Sequence, residues 1–270
     1  MGQTTQTTEP LIRTELRDRV AVLKLDRPKQ LNALSTPLVD RLDEELNALR
    51  AERAIRAVVL TGEGRGFSAG ADLAEIGSFA ETSAPSARFR DLVGHLTEVF
   101  QRLQEHPLPS VAALHGFAYG GGLELSLACD LRVAERGTQL GVPEMKLGVL
   151  PGAGGTQRLP RMIAPAVARQ MILTGQPIDA ERAHTLGLVN ELAEPGRGLD
   201  AALALAETLA AGAPLALAAG KRLVDAAVAG ELRQGVGYER ETVSVLHSSR
   251  DSAEGLQAFQ ERREPRFTGE

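Results

Sequence analysis

Two glutamates stand beside glycine-rich runs in this chain. Glu124 follows Gly120, Gly121 and Gly122 and sits in an otherwise apolar segment, and Glu144 comes after Pro143. A glutamate in the first turn of a helix is ordinarily a solvated charge that suits the helix dipole. An unpaired carboxylate among apolar residues is costly, however, so Glu124 needs a reason to be there. Chemistry supplies one. Backbone N–H groups at a helix start, left uncovered because the residues are glycines, form an anion site, and Gly121 is placed for that. Two carboxylates near one another divide into acid and base, since burial and mutual repulsion separate their proton affinities. Amides for a developing oxyanion and carboxylates for protons together point to enolate chemistry beside a carbonyl. Gly62, Gly64, Gly66 and Gly70 make a second glycine loop that would approach the same place.

Other patterns compete. Residues 66–70 fit the G-x-S-x-G nucleophile elbow around Ser68, with His115, His184 and His247 downstream, and a serine hydrolase is the rival reading outside enolate chemistry. An elbow needs its strand to run directly into the first glycine, whereas residues 61–65 intervene. Gly64, Gly66 and Ala69 have dinucleotide-fingerprint spacing, but the acid expected about twenty residues on is missing and residues 78–88 read as polar loop. The five histidines stand apart with no H-E-x-x-H or cysteine pair, so no metal is expected.

The elements that would position these groups are legible in outline. The chain has 270 residues, 43% apolar and 24% charged, the balance of a globular protein with a substantial core. Apolar runs at 20–25, 57–60, 110–114 and 131–134 read as strands. Leu38, Leu42, Leu46 and Leu49 share one helical face, begun by Ser35 or Thr36 with Pro37. Residues 123–129 have the composition of a packed helix. Strand, glycine turn, helix and strand in this order predict a parallel-rich α/β body with ligands at its glycine loops. From residue 200 the pattern turns helical, over 201–211, 215–228 and 252–263, with Asp251 and Glu254 spaced as a capping pair. Residues 1–10 are expected to form a mobile tail, 11–199 the core and 200–270 a helical region.

Composition excludes some partners. Thirty Lys and Arg against 35 Asp and Glu leave a charge of -5, with no basic surplus for nucleic acid. The apolar stretch 111–129 carries His115, Glu124 and three glycines, so it reads as protein interior and no membrane is expected. The single cysteine, Cys129, favours a reducing compartment, and the protein is expected to be cytoplasmic.

The chain resembles the crotonase, or enoyl-CoA hydratase/isomerase, superfamily. The likeness lies in LDRPKQLNAL at 25–34, FSAGADL at 67–73, GFAYGGGLEL at 116–125, PEMKLGVLPGAGGTQR at 143–158 and EGLQAFQER at 254–262. The resemblance implies a spiral of β-β-α units, with a C-terminal helical region that forms a homotrimer or a hexamer built as a dimer of trimers. It implies an enoyl-CoA hydratase that adds water across the C2=C3 bond of a trans-2-enoyl-CoA, with no cofactor beyond the coenzyme A of the substrate. Carried over residue by residue, the oxyanion-hole amides fall on Ala71 and Gly121 and the hydratase glutamates on Glu124 and Glu144. Lys29, Ala69, Asp72, Leu73 and Gly120 fall where the family holds substrate and coenzyme A. Residues 75–90 are expected to line the acyl pocket, and Val142 stands where many hydratases have Gln. An enoyl-CoA isomerase, or another acyl-CoA lyase of the same fold, is the alternative, and the presence of both glutamates weighs against it.

Overall fold

The computed structural model describes residues 10–270; of the expected tail, only Pro10 is among the described residues. In chain order the elements are β1 (Ile12–Arg17), β2 (Val20–Leu25), α1 (Thr36–Ala51), β3 (Ala57–Gly62), α2 (Leu73–Ser78), α3 (Pro85–Gln104), β4 (Ser110–Leu114), β5 (Phe117–Tyr119), α4 (Gly121–Ala128), β6 (Leu131–Glu135) and β7 (Gln139–Gly141). They continue with α5 (Gly155–Met162), α6 (Pro165–Thr174), β8 (Ile178–Asp179), α7 (Ala180–Thr185), β9 (Glu191–Ala193), α8 (Gly198–Ala210), α9 (Pro214–Ala229), α10 (Leu232–His247) and α11 (Arg250–Glu261).

Among the described residues, six strands form one sheet in the order β1-β2-β3-β4-β6-β9, parallel except for β1, and β5-β7-β8 form a small second sheet. The chain repeatedly leaves a strand of the large sheet, pairs in the small one and then enters a helix: β4 leads through β5 to α4, and β6 through β7 toward α5. Ser68 makes the same excursion as a single bridge to Ala118 after β3. That recurrence is the β-β-α spiral, and it replaces the simple parallel body that periodicity alone suggests.

The central strands read as continuous apolar runs because both faces of the sheet are covered. Alternate residues separate the two cores. Ala21, Leu23, Leu25, Val58, Leu60, Ala112 and Leu114 pack with α1, α3 and α4. Val20, Val22, Ala57, Val59, Val111, Ala113 and Val133 pack with Ala202, Leu203, Ala206 and Ala210 of α8. Helix α8, which begins at Gly198, is thus a layer of the core. Every residue of α4 is buried, as expected of a helix apolar on all sides. Its C-terminal end is held by the buried Arg132, whose guanidinium donates to Ser126 O (3.1 Å), Cys129 O (2.8 Å) and Leu188 O (2.7 Å). Cys129 lies in this apolar layer, and burial pushes its thiol up to about 12, which makes it a packing residue rather than a nucleophile.

Two sequence expectations are corrected. Residues 78–88 are not an open loop: they run from the end of α2 through a 3-10 turn at Phe79–Glu81 into α3, which Pro85 starts. Asp251 and Glu254 do not cap α11. Ser249 does, accepting from Ser252 N at 3.1 Å, while Asp251 takes the amides of Thr268 (2.7 Å) and Gly269 (2.9 Å) and Glu254 grips Arg263 (2.6 and 2.9 Å). These carboxylates strap the C-terminal segment to the helix. The 111–129 stretch, expected to be protein interior, is divided among β4, β5 and the fully buried α4, and no single helix among the described residues is long and apolar enough to cross a membrane.

Candidate active site

The two glycine loops meet at the N-terminus of α4. Asn32 organises the approach of the first. It is fully buried in a left-handed conformation (φ 54°); its Oδ1 accepts from Arg27 N at 2.9 Å, and its Nδ2 donates to Glu63 O (2.8 Å) and Gly66 O (3.0 Å). Leu34 then pairs with Ala71 as a parallel bridge, with Leu34 N donating to Gly70 O and Asp72 N to Leu34 O. In such a bridge the intervening amide points the other way, and Ala71 N–H has no acceptor among the described residues. Gly121, the first residue of α4, likewise offers an N–H with no acceptor among them, as a helix start must. A Cβ built on Gly121 would stand 3.4 Å from Ala71 N, so the two donors border one small space.

Both carboxylates lie at the start of α4. Glu124, in the first turn of α4, is only 2% exposed and its Oε1 accepts from Gly155 N at 2.6 Å. Burial raises its proton affinity and the nearby Glu144 adds to the effect, against the amides of Gly155 and Ala153 and the charge of Arg158, so its pKa is pushed up to about 7. Glu144 stands on a 3-10 turn at Pro143–Leu147 and bends back to the start of α4: a Cβ on Gly120 would lie 2.7 Å from its Oε1. Gly120 has φ 52°, so both the backbone and the carboxylate require glycine there. Burial raises the Glu144 pKa as well, and its Oε2 is buried with no hydrogen-bond partner among the described residues. A buried acceptor lacking a donor beside two donors lacking acceptors is an arrangement made for a polar ligand and a transferable proton.

The remaining expected site residues divide. Asp72 is buried and committed to the fold: its Oδ1 caps α2 through Ala74 N (3.0 Å) and Glu75 N (3.3 Å), and its Oδ2 pairs with Arg27 at 2.9 Å. Burial works against its charge, but the Arg27 hydrogen bond and the α2 amides outweigh it and hold the carboxyl below its ordinary value. Leu73 and Ala69 are exposed beside it, and Lys29 is exposed on the 3-10 turn Pro28–Gln30 with no partner among the described residues. Ile76 and Phe79, from the expected acyl-pocket stretch, pack against the main core. Val142 is fully buried in that core.

Ser68 is not a nucleophile. It is fully buried, donates its hydroxyl proton to Asn32 O at 2.8 Å and accepts from Gly70 N at 3.1 Å. Its hydroxyl is spent on shaping the loop that carries Ala71. The positioning roles of Asn32, Gly155 and Arg27 are not apparent from their types alone; for Asn32, tolerance of positive φ is the one local clue.

The profile of the family described as Enoyl-CoA hydratase/isomerase matches residues 15–270. The 2,3-dehydroadipyl-CoA hydratase of Escherichia coli is 38% identical over 257 residues, covering 94% of this chain and 96% of its own. The short-chain-enoyl-CoA hydratase of Clostridium acetobutylicum is 35% identical over 250 residues, covering 92% and 94%. Among solved structures, an enoyl-CoA hydratase from Bacillus anthracis superposes with a TM-score of 0.91 at 36% identity, covering 97% of this chain and all of that one. The chain belongs to the enoyl-CoA hydratase/isomerase family, with the crotonase fold.

Proposed function

We propose that this protein is an enoyl-CoA hydratase that adds water to a trans-2-enoyl-CoA and releases a 3-hydroxyacyl-CoA. The observation that carries the reading is that Glu124 and Glu144 come together at the start of α4, where the amides of Ala71 and Gly121 lie close together with no acceptor among the described residues. The thioester oxygen would take the two N–H groups, drawing electron density from C3. A water held between the carboxylates attacks C3; its oxygen bonds to C3, the C2=C3 π pair moves to an enolate whose oxygen the amides stabilise, and the water proton passes to Glu144. Glu144 then returns that proton to C2, so one water is added and both carboxylates are restored. Glu124, with one oxygen fixed by Gly155, keeps the other for orienting the water. Each amide would contribute on the order of a few kcal/mol to the enolate-like transition state.

In this reading Lys29 and the 69–73 stretch contact the coenzyme A portion, and the 75–90 stretch forms a wall of the acyl pocket. The exposed apolar side chains Val224, Leu232, Val243 and Phe259 on α9–α11 suit burial against other copies of the chain in a trimer or dimer of trimers, which sedimentation would reveal.

The test is purified protein with crotonyl-CoA, following the conjugated-thioester absorbance and the product mass. A gain of one water, lost in Glu144→Gln, is expected. A product isomeric with its substrate when a 3-enoyl-CoA is supplied, with no hydration of any 2-enoyl-CoA, would replace the hydratase by an isomerase.

A further inference from the structure

Arg158 lies near the start of α5, the helix whose first amide holds Glu124. Its guanidinium folds back over the turn before the helix. Nη1 donates to Ala153 O at 3.0 Å, and a Cβ on Gly154 (φ 110°) would overlap that same nitrogen, so residue 154 must be glycine for the turn to close beneath it. On the other side Nε donates to Gln104 Oε1 at 3.0 Å and Nη2 to Gln101 Oε1 at 3.3 Å. One side chain therefore clamps the 153–155 turn to the C-terminal part of α3. A second contact joins the same segments: a Cβ on Gly152 would lie 2.9 Å from Val93 of α3.

The acceptors of this guanidinium are all neutral: one carbonyl and two amides. No carboxylate among the described residues forms an ion pair with it, so its charge is left to act on anions farther away. Those anions are Glu124 and, from α9, Asp225. Around Glu124 the charged groups are Glu144 on the 3-10 turn and Arg158 on α5. The face of α3 offers Gln101 and Gln104, with Glu105 behind Gln101, whose Nε2 donates to it at 2.8 Å. Arg158 is the cation of that set. Burial opposes its charge, and it is kept half-buried nonetheless.

We propose that Arg158 is a positioning residue for the acid–base pair, clamping the Ala153–Gly155 turn so that the Gly155 N–H stays on Glu124 and setting a positive charge near that carboxylate. The kinetic part of the proposal rests on the hydratase reading; the electrostatic part does not. Removing the charge weakens the hold on the ionised form of Glu124, whereas a packing role would leave its titration unmoved.

The experiment compares wild type with Arg158→Gln and Arg158→Lys in crotonyl-CoA hydration from pH 5.5 to 9.5, and follows the Glu124 carboxyl by carbon-13 NMR, assigned with Glu124→Gln. In Arg158→Gln the acidic limb and the carboxyl titration move up by about one pH unit, kcat falls about tenfold at pH 6.5, the deficit narrows toward pH 9, and KM stays within about twofold. Arg158→Lys keeps the wild-type titration while losing part of kcat, because the charge remains and the three-way clamp does not. An unmoved titration in Arg158→Gln, or a kcat deficit of one size at every pH, overturns the proposal. If Arg158→Gln does not fold, the paired Gln101→Ala and Gln104→Ala substitutions, which free the guanidinium from α3, decide the matter: a smaller upward shift supports the clamp and a wild-type profile refutes it. If no enoyl-CoA is hydrated by the wild type, the hydratase reading fails, and the NMR titration still tests Arg158.

Discussion

Glu124 and Glu144 are held in opposite ways. Glu124 grows from a helix buried on every side, its carboxylate fixed by the Gly155 amide and its far end secured by Arg132. Glu144 stands on a short 3-10 turn whose neighbours Met145, Leu147, Val149 and Leu150 are exposed, Leu147 by 60% and Leu150 by 59%. One group is set in the core and the other reaches into the site from the rim. The contrast matches the proposed division of labour. The carboxylate that only orients water gains from rigidity, while the one that takes a proton from water and delivers it to C2 needs a free oxygen, and Glu144 Oε2 has no partner among the described residues.

The largest effect expected is on chemistry. Glu144→Gln and Glu124→Gln should each lower kcat by roughly 10²-fold or more, with circular dichroism unchanged. Near-normal turnover in either removes its role and collapses the contrast. Next comes the core side: Asn32→Ala would strand Arg27 N, Glu63 O and Gly66 O and leave alanine at positive φ, for a loss of about 3 kcal/mol in urea unfolding. A loss below about 1 kcal/mol would mean that the Ala71 loop holds itself. On the rim side, Gly120→Ala should cost about tenfold in kcat by displacing Glu144, and about 1–3 kcal/mol in stability because alanine is strained at φ 52°.

The sharpest effect is on stability against pH. Folding raises the Glu124 pKa from 4.5 to about 7, so the folded state keeps this proton to higher pH than the unfolded chain does, and stability is lost as pH rises across that window. Glu124→Gln should therefore melt several degrees above wild type at pH 8, a gain that fades toward pH 4.5. His106 acts in the opposite sense. It is buried with Nε2–H donating to Leu46 O (3.0 Å) and Nδ1 accepting from Leu108 N (3.2 Å), and burial lowers its pKa from 6.5 to about 4. The unfolded chain takes up that proton first, so stability present above pH 6.5 falls by roughly 3 kcal/mol as pH drops to 4. In wild type the two slopes oppose each other between pH 4.5 and 6.5. Thermal melts of Glu124→Gln should fall more steeply there than those of wild type, and parallel curves would show that Glu124 is ionised in the folded protein throughout.

Several elements are plain in the sequence. The leucines of α1 and the apolar runs of β2, β3, β4 and β6 declare themselves by period and composition. Strand β1 does not, because an edge strand carries exposed polar side chains and its IRTELR has no apolar run. Helix α3 carries a helical signal at Leu92, Leu96, Val99, Phe100 and Leu103, but the polar stretch that leads into it reads as loop. Helix α10 hides behind Gly235 and Gly237 and buries none of its residues in the isolated chain.

By itself the sequence determined which groups could do chemistry: two glutamates, and glycines that leave amides bare. It also fixed the local conformations that those glycines and Asn32 alone adopt without great strain. Tertiary structure alone decided that the amide of Ala71, brought by β3, stands beside that of Gly121, and that Glu144, from beyond β7, bends back to the start of α4. It also decided that Ser68 and Asp72 serve the fold, while Gly155 serves Glu124. The reason is physical. A residue's type fixes what it can donate or accept, but its partner and its proton affinity depend on what the folded chain places within about 3 Å and on how much water it excludes.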